Sequence, residues 1–475
     1  AGPSSAPRGL AAVRRSLDAI ERENGDLNAF LIVTAEQALA EAKAQEAITH
    51  KGPLAGLPIG VKDIIDLTGH PTRAGSKTRA QVAPAEKDAF VVAKLRAAGA
   101  IVVGKTNTVE YAFGGWGTNH AVGTPKNPWD RKVHRTPGGS SSGTGVAVGA
   151  GLIPAGLGTD TGGSVRLPAS YCGCVGLKTS IGLVSRSGVV PLSATLDTIG
   201  PLANSVRLCA ELLDVMQGYD RDDPTTHGVA PVDPFQDLER GITGFRIGRL
   251  TDDQLPRMSA EVEAAFGVAI DLLQKAGAIV TPFRLPQSLE EYTLRRPAIM
   301  VADAYAAHQA LVDDPASGLH PDIRGRMLAA RTYTAADLVR AQEQRRNDIA
   351  DLLAAMDRLD AIVLPSTPTT AIAIDAVDEG TTPAFHTRFV NHLALAALSL
   401  PIDVGRSGLP TSLQIVVRRF DDPLALRIGR AFEAVRGAFS GPRSGHAGQA
   451  RPRLADAVGR LRSLAPGRLA CLRHM

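Results

Sequence analysis

Two stretches of this chain share one pattern: a helical segment, a glycine stop, then a short apolar strand. The first runs Asp88–Ala98, Gly99 and Ala100–Val103; the second runs Glu263–Ala276, Gly277 and Ala278–Thr281. Glycine ends a helix because it accepts a left-handed backbone, and a run of apolar residues with no alternation reads as a strand buried on both faces. Leu57–Ile65 is another apolar, β-branched stretch, with Lys62 and Asp63 set inside it, and Leu359–Leu364 is another before Pro365. Helices alternating with such strands predict an α/β fold. Residues 9–48 read as two helices, with Leu10, Val13, Leu17 and Ile20 at helical spacing. Aromatics are only 4% of the chain, so the core must rest on aliphatic residues.

Composition narrows the class of protein. The formal charge is +4, too small to predict a nucleic-acid partner. Four cysteines in 475 residues do not make a disulfide framework, which fits a reducing compartment and a cytoplasmic protein. Cys172 and Cys174 form a lone C-x-C without two further ligands nearby, so they read as small packing residues and no metal is expected. The first residues hold no apolar stretch followed by a cleavage site, and no run is long enough to span a membrane.

Between Thr136 and Gly200 the chain is crowded with Gly, Ser and Thr, yet apolar segments such as Val146–Val148 and Val175–Leu177 interrupt it. A packed segment this rich in glycine implies close backbone approach, as an active site requires. Two patterns are decoys. Gly99–Thr106 matches a phosphate-binding loop letter for letter, but its variable residues, Ala-Ile-Val-Val, are themselves a strand rather than a loop. Gly139-Ser-Ser-Ser-Gly143 matches the nucleophile elbow, but no apolar strand leads into it.

The segment Gly158-Thr-Asp-Thr-Gly-Gly-Ser-Val-Arg166 is more informative. Two glycines before Ser164 let successive N–H groups converge on one point, a geometry suited to an oxyanion. A serine needs a base near neutral pH, and the glycine-rich centre contains no histidine. A buried lysine is one physical option, since desolvation disfavours its charge. Lys62, in an apolar stretch, is the candidate.

These residues together resemble the amidase signature family. The resemblance rests on Gly138–Gly143, Gly158–Arg166, Gly60-Val-Lys-Asp63, Gly99–Asn107, Asn127-Pro-Trp-Asp130, Cys172–Lys178 and Gly408–Gln414. It implies a large single domain whose mixed, twisted central sheet is covered by helices on both faces. That domain would span 1–437, with N-terminal helices at 9–48, a signature core at 55–215 and a variable substrate region at 290–395. The Arg-, Gly- and Pro-rich tail at 438–475 is expected to be poorly ordered.

The resemblance also implies a catalytic set: Ser164 as nucleophile, Ser140 after a cis Gly139–Ser140 bond, and Lys62 as base. Thr161, Gly162 and Gly163 would hold the oxyanion. Ser141 would fix its loop; Asp160 and Arg166 would orient the turn, contact substrate or serve structure alone. Gly114, Gly115 and Trp116 are candidates for the substrate pocket, where Trp116 either stacks on a flat acyl group or packs in the core. Family members of this kind need no cofactor.

Three functional readings follow. The first is a stand-alone amidase acting on a small carboxamide or ureido-type bond, with no partner beyond a second copy of itself. The second is the glutamine-hydrolysing A-subunit of a tRNA-dependent amidotransferase, which passes ammonia to a partner. The third is a binding protein with a decayed site. The segment Gly114-Gly-Trp-Gly117 departs from the Gly-Ser-Ser-Thr associated with the amidotransferase subunits, so the first reading is the expectation.

Overall fold

Eleven strands pair into one mixed sheet among the residues that this computed structural model describes, which are 4–48, 52–295, 297–439 and 441–442. The tail expected at 438–475 lies almost wholly outside them. The strands are β1 (Phe30–Val33), β2 (Pro58–Lys62), β3 (Ile101–Thr106), β4 (Ala155–Asp160), β5 (Val175–Lys178), β6 (Thr198–Ala203), β7 (Arg246–Leu250), β8 (Ile279–Phe283), β9 (Ala361–Pro365), β10 (Ala396–Val404) and β11 (Pro410–Val417). Their spatial order is β1-β3-β2-β4-β6-β5-β10-β11-β9-β7-β8. Strands β3, β2 and β4 run parallel to one another, as do β9, β7 and β8, while the pairings of β6, β5, β10 and β11 are antiparallel.

Both faces of the sheet are covered. Successive residues of a strand point to opposite sides. In β3, Ile101 and Val103 join one apolar core with Val13, Leu17 and Ile20 of the helix Leu10–Leu27. Val102 between them joins the other core, with Leu95 of the helix Phe90–Ala97 and Leu212 and Leu213 of Val206–Met216. Both helix–glycine–strand units form, with φ +94° at Gly99 and +95° at Gly277, but only the first strand is buried; β8, at the edge of the sheet, is largely exposed.

One reading is corrected. Residues 9–48 hold two helices, Leu10–Leu27 and Ala35–Glu46, but the edge strand β1 lies between them and pairs antiparallel with β3. Asn28 adopts the left-handed conformation, ending the first helix, and the Phe-Leu-Ile-Val that follows suits an extended backbone. The phosphate-loop decoy is settled too. Lys105 sits inside β3, fully buried, with its ammonium 2.9 Å from Asp63 Oδ1 and donating to Thr72 Oγ1 at 2.7 Å.

Close backbone approach is tightest at Gly200 of β6, which faces Gly158 of β4 across the ladder. A Cβ there would fall 1.9 Å from the Leu177 carbonyl oxygen. Gly200→Ala should therefore lower stability by at least about 1–3 kcal/mol, the usual range for overpacking. Gly267→Ala, on the helix Ala260–Lys275 with nothing within 4 Å of its added Cβ, should be neutral or stabilising by about 1 kcal/mol. Urea denaturation midpoints of the two variants measure the contrast, and equal midpoints would contradict the packing described.

Candidate active site

The site forms where two parallel strands end side by side. Val61 of β2 pairs with Leu157 of β4, so the carboxyl ends of both strands open on the same edge of the sheet. Lys62 is the last residue of β2 and Asp160 the last of β4. Clefts at the carboxyl ends of parallel strands are the usual ligand sites of α/β sheets. After β4 the chain turns through Thr161, Gly162, Gly163 and Ser164 and enters the helix Arg166–Cys172. The loop carrying Ser140 leads into the helix Ser142–Gly149 beside it, and its Gly139–Ser140 peptide bond is cis.

Lys62 is fully buried. Its Nζ donates to Ser140 Oγ at 2.7 Å and to Thr159 Oγ1 at 2.9 Å. Burial brings its pKa down to about 7, against the opposing pull of the Asp197 and Asp160 carboxylates. Desolvation thus outweighs two nearby acids, and the amine is poised to exchange a proton near neutral pH. The two serine loops are joined through backbone, the Ser141 N–H donating to the Ser164 carbonyl at 3.2 Å. The Ser141 side chain clips its loop to β4, accepting from the Thr159 N–H at 3.2 Å and donating to the Thr159 carbonyl at 3.3 Å.

Asp160 and Arg166 form a fully buried ion pair beneath the turn that carries Ser164. Arg166 Nη2 donates to Asp160 Oδ1 at 2.9 Å and Nε to Oδ2 at 3.0 Å. The same carboxylate accepts the Gly163 N–H at 2.8 Å and the Val165 N–H at 3.1 Å. Burial pushes the Asp160 carboxyl up, but Arg166, with Lys178 and the Asn391 amide, overcomes it and holds the group well below the usual range. Arg166 also donates to the Thr387 carbonyl at 3.0 Å, to Gln414 Oε1 at 2.6 Å and to Asn391 Oδ1 at 2.6 Å. Thr387 Oγ1 donates to the Gly162 carbonyl at 2.7 Å. Gly163 has φ +132°, and a Cβ there would lie 2.2 Å from Thr387 Oγ1, so only glycine fits the turn.

One expectation changes here. The Gly163 N–H already serves Asp160, so it leaves the set of groups expected to hold an oxyanion. Asp160 and Arg166 are resolved toward orienting the turn; neither lines the cavity above it.

That cavity measures about 310 Å³. Its wall includes Ser164, Thr161 and Gly162, and Gly114, Gly115 and Trp116 as expected. Trp116 packs with Tyr171, Ala371 and Leu409 and also lines the cavity. The region 290–395 contributes Met300, Val301, Arg326, Glu379 and Arg388, but none of its prominent Tyr and His residues. His386 and His392 are instead buried in hydrogen bonds to the Pro365 carbonyl and Asp348. Sequence reading missed Asp197, which accepts the Thr161 hydroxyl and the Leu192 and Ser193 N–H groups, and missed Thr387 and Asn391. Gln414 closes a quoted motif and could have been found; the others carry no local signal.

Comparison with known proteins extends this geometry. The Amidase family model matches residues 11–426. The A-subunit of a glutamyl-tRNA(Gln) amidotransferase from Acidobacterium capsulatum is 34% identical, the match covering 90% of this chain and 96% of that protein. The crystal structure of the corresponding A-subunit from Thermotoga maritima has a TM-score of 0.77 at 33% identity, covering 89% of this chain and 90% of its own. A structure from work on a vestigial complex and the origins of an s-triazine catabolic enzyme has a TM-score of 0.84 at 32% identity, covering 90% and 95%.

These relatives correct two expectations. A stand-alone enzyme for a small amide is overturned by full-length likeness to amidotransferase subunits. The absence of a nucleic-acid or protein partner is overturned by the Acidobacterium and Thermotoga relatives, both subunits of an enzyme named for a tRNA. The departure at Gly114–Gly117 misled because that loop works mainly through backbone. The Gly115 carbonyl accepts the Gly139 N–H and the Trp116 carbonyl accepts the Gly138 N–H. No helix among the described residues is long and apolar enough to cross a membrane. With the family model spanning most of its length and the signature loops converging on one cavity, the chain belongs to the amidase signature family and is an amidase-type carbon–nitrogen hydrolase.

Proposed function

We propose that this chain is the glutamine-hydrolysing A-subunit of a tRNA-dependent amidotransferase, releasing ammonia for a partner subunit. The observation that carries this reading is its end-to-end likeness to the Acidobacterium protein, 96% of which it matches. The hydrogen-bonded Lys62–Ser140 pair beside Ser164 supports the chemistry.

In this reading Ser164 Oγ attacks the side-chain amide carbon of glutamine. Its proton passes to Ser140, whose own proton passes to the lone pair of neutral Lys62. Backbone N–H groups of the turn face the developing oxyanion. The relay runs backwards to protonate the leaving nitrogen, the carbon–nitrogen bond breaks, and ammonia departs. Water then cleaves the acyl-enzyme, giving glutamate and restoring Ser164. The bond broken is a linear amide, and the chain's own residues supply every proton transfer.

Four measurements test the proposal. Ammonia release from glutamine, assayed for the full chain alone and with its cognate subunits and glutamyl-tRNA(Gln), should rise sharply in the complex. Absence of glutamine hydrolysis in both settings would overturn the reading. Ser164→Ala should lose about four to six orders of magnitude in kcat, as removal of a covalent nucleophile does. The pH profile of kcat/KM should rise through about 7, because Lys62 is protonated and unable to accept below that value and neutral above it. Lys62→Arg should stay inactive at neutral pH, since a guanidinium cannot give up its proton; recovery there would exclude lysine as the base.

A further inference from the structure

Among the described residues, the catalytic cavity holds one charge with no counter-charge bonded to it. Three charged side chains line it: Arg326, Glu379 and Arg388. Arg326 donates to Glu379 Oε2 and to the Glu379 carbonyl, both at 2.8 Å, and to the Phe113 carbonyl at 2.6 Å, so this pair cancels. Arg388 has no hydrogen bond, ion pair or ring contact from its guanidinium to any other described residue. Burial, and repulsion from Arg326, bring its pKa down to about 10, which still leaves it charged at neutral pH.

Its position is fixed from behind. Arg388 opens the helix Arg388–His392, directly after Thr387. Thr387 is held on both sides, donating to the Gly162 carbonyl of the nucleophile turn and accepting from Arg166. The backbone that presents Arg388 is therefore bonded to the turn that presents Ser164. In the same cavity, Leu167, Leu192, Met300 and Val301 offer an apolar wall suited to methylene groups. Arg388 is only partly buried, so its guanidinium is open to what enters the cavity, and its planar fork matches a carboxylate with two parallel hydrogen bonds.

We propose that Arg388 determines specificity by binding a carboxylate carried on the acyl side of the amide substrate. Where that substrate is glutamine, the group bound is its α-carboxylate; this identification rests on the amidotransferase reading above. The requirement for an anionic acyl group rests on the cavity alone.

The test compares three amides with the full chain, alone and with its cognate subunits: glutamine; glutaramate, which lacks the amino group; and pentanamide, in which a methyl replaces the carboxylate. The wild type should favour glutaramate over pentanamide by about 100-fold or more in kcat/KM. Arg388→Gln should lose about 100-fold on both acids, mainly through KM, and change pentanamide by less than about threefold. Arg388→Lys, which keeps the charge without the fork, should restore part of the preference, and serves if the Arg388→Gln variant folds poorly. An equal loss on all three amides, or a wild type indifferent to the carboxylate, would overturn the proposal. The two readings fail separately. Arg388-dependent turnover of glutaramate without any of glutamine would sink the amidotransferase reading and uphold Arg388; normal glutamine turnover by Arg388→Gln would do the reverse.

Discussion

The buried ion pair between Asp160 and Arg166 is the constraint on which the rest of the site depends. Both groups are fully withdrawn from water, which is favourable only when every donor and acceptor is met. Here they are met by the turn itself: the Gly163 and Val165 N–H groups bind the carboxylate, and the arginine reaches Thr387, Asn391 and Gln414. Removing one partner from such a pair typically costs about 3–5 kcal/mol, because the other charge stays buried. The ion pair thus fixes the backbone that carries Ser164, and it ties the beginning of the sheet to its last strands.

Lys62 shows the opposite balance of the same forces. It too is fully buried, and Asp197 and Asp160 both favour its charged form. Neither lies in an ion pair with it; its hydrogen-bond partners are the neutral hydroxyls of Ser140 and Thr159. Desolvation therefore wins and the amine titrates near neutrality, whereas the Asp160 carboxylate stays ionised. Two buried ionisable groups at the ends of adjacent strands are driven to opposite outcomes by whether a counter-ion touches them.

The cavity follows the same logic one layer out. Arg326 and Glu379 satisfy each other and shape the wall, while Arg388 is left for whatever enters. Residues that line the cavity come from the loop at Gly114–Trp116 and from residues 300–388, and those that hold the turn come from Thr387 to Gln414. The loop that misled the sequence reading belongs to the first group. Its backbone carries bonds that seat the Ser140 loop, the Gly115 and Trp116 carbonyls accepting the Gly139 and Gly138 N–H groups.

How much was legible follows from the range over which each feature is determined. The helix–glycine–strand units, the α/β alternation, the apolar stretch that contains Lys62 and the two glycines before Ser164 are written in contiguous residues. There backbone freedom and apolar runs act over a few positions. The edge strand β1 was hidden inside an apparent helical pair, because Phe30–Val33 is decided by the exposed edge of β3 that it completes. The partners of Arg166 lie more than 200 residues away, and Asp197, Thr387 and Arg388 gain meaning only from what packs against them. The sequence by itself determined the chemistry's donors and the fold that carries them. Only the tertiary structure decided which buried charges are paired and which are left open, because desolvation and charge pairing depend on distances in space and not on order along the chain.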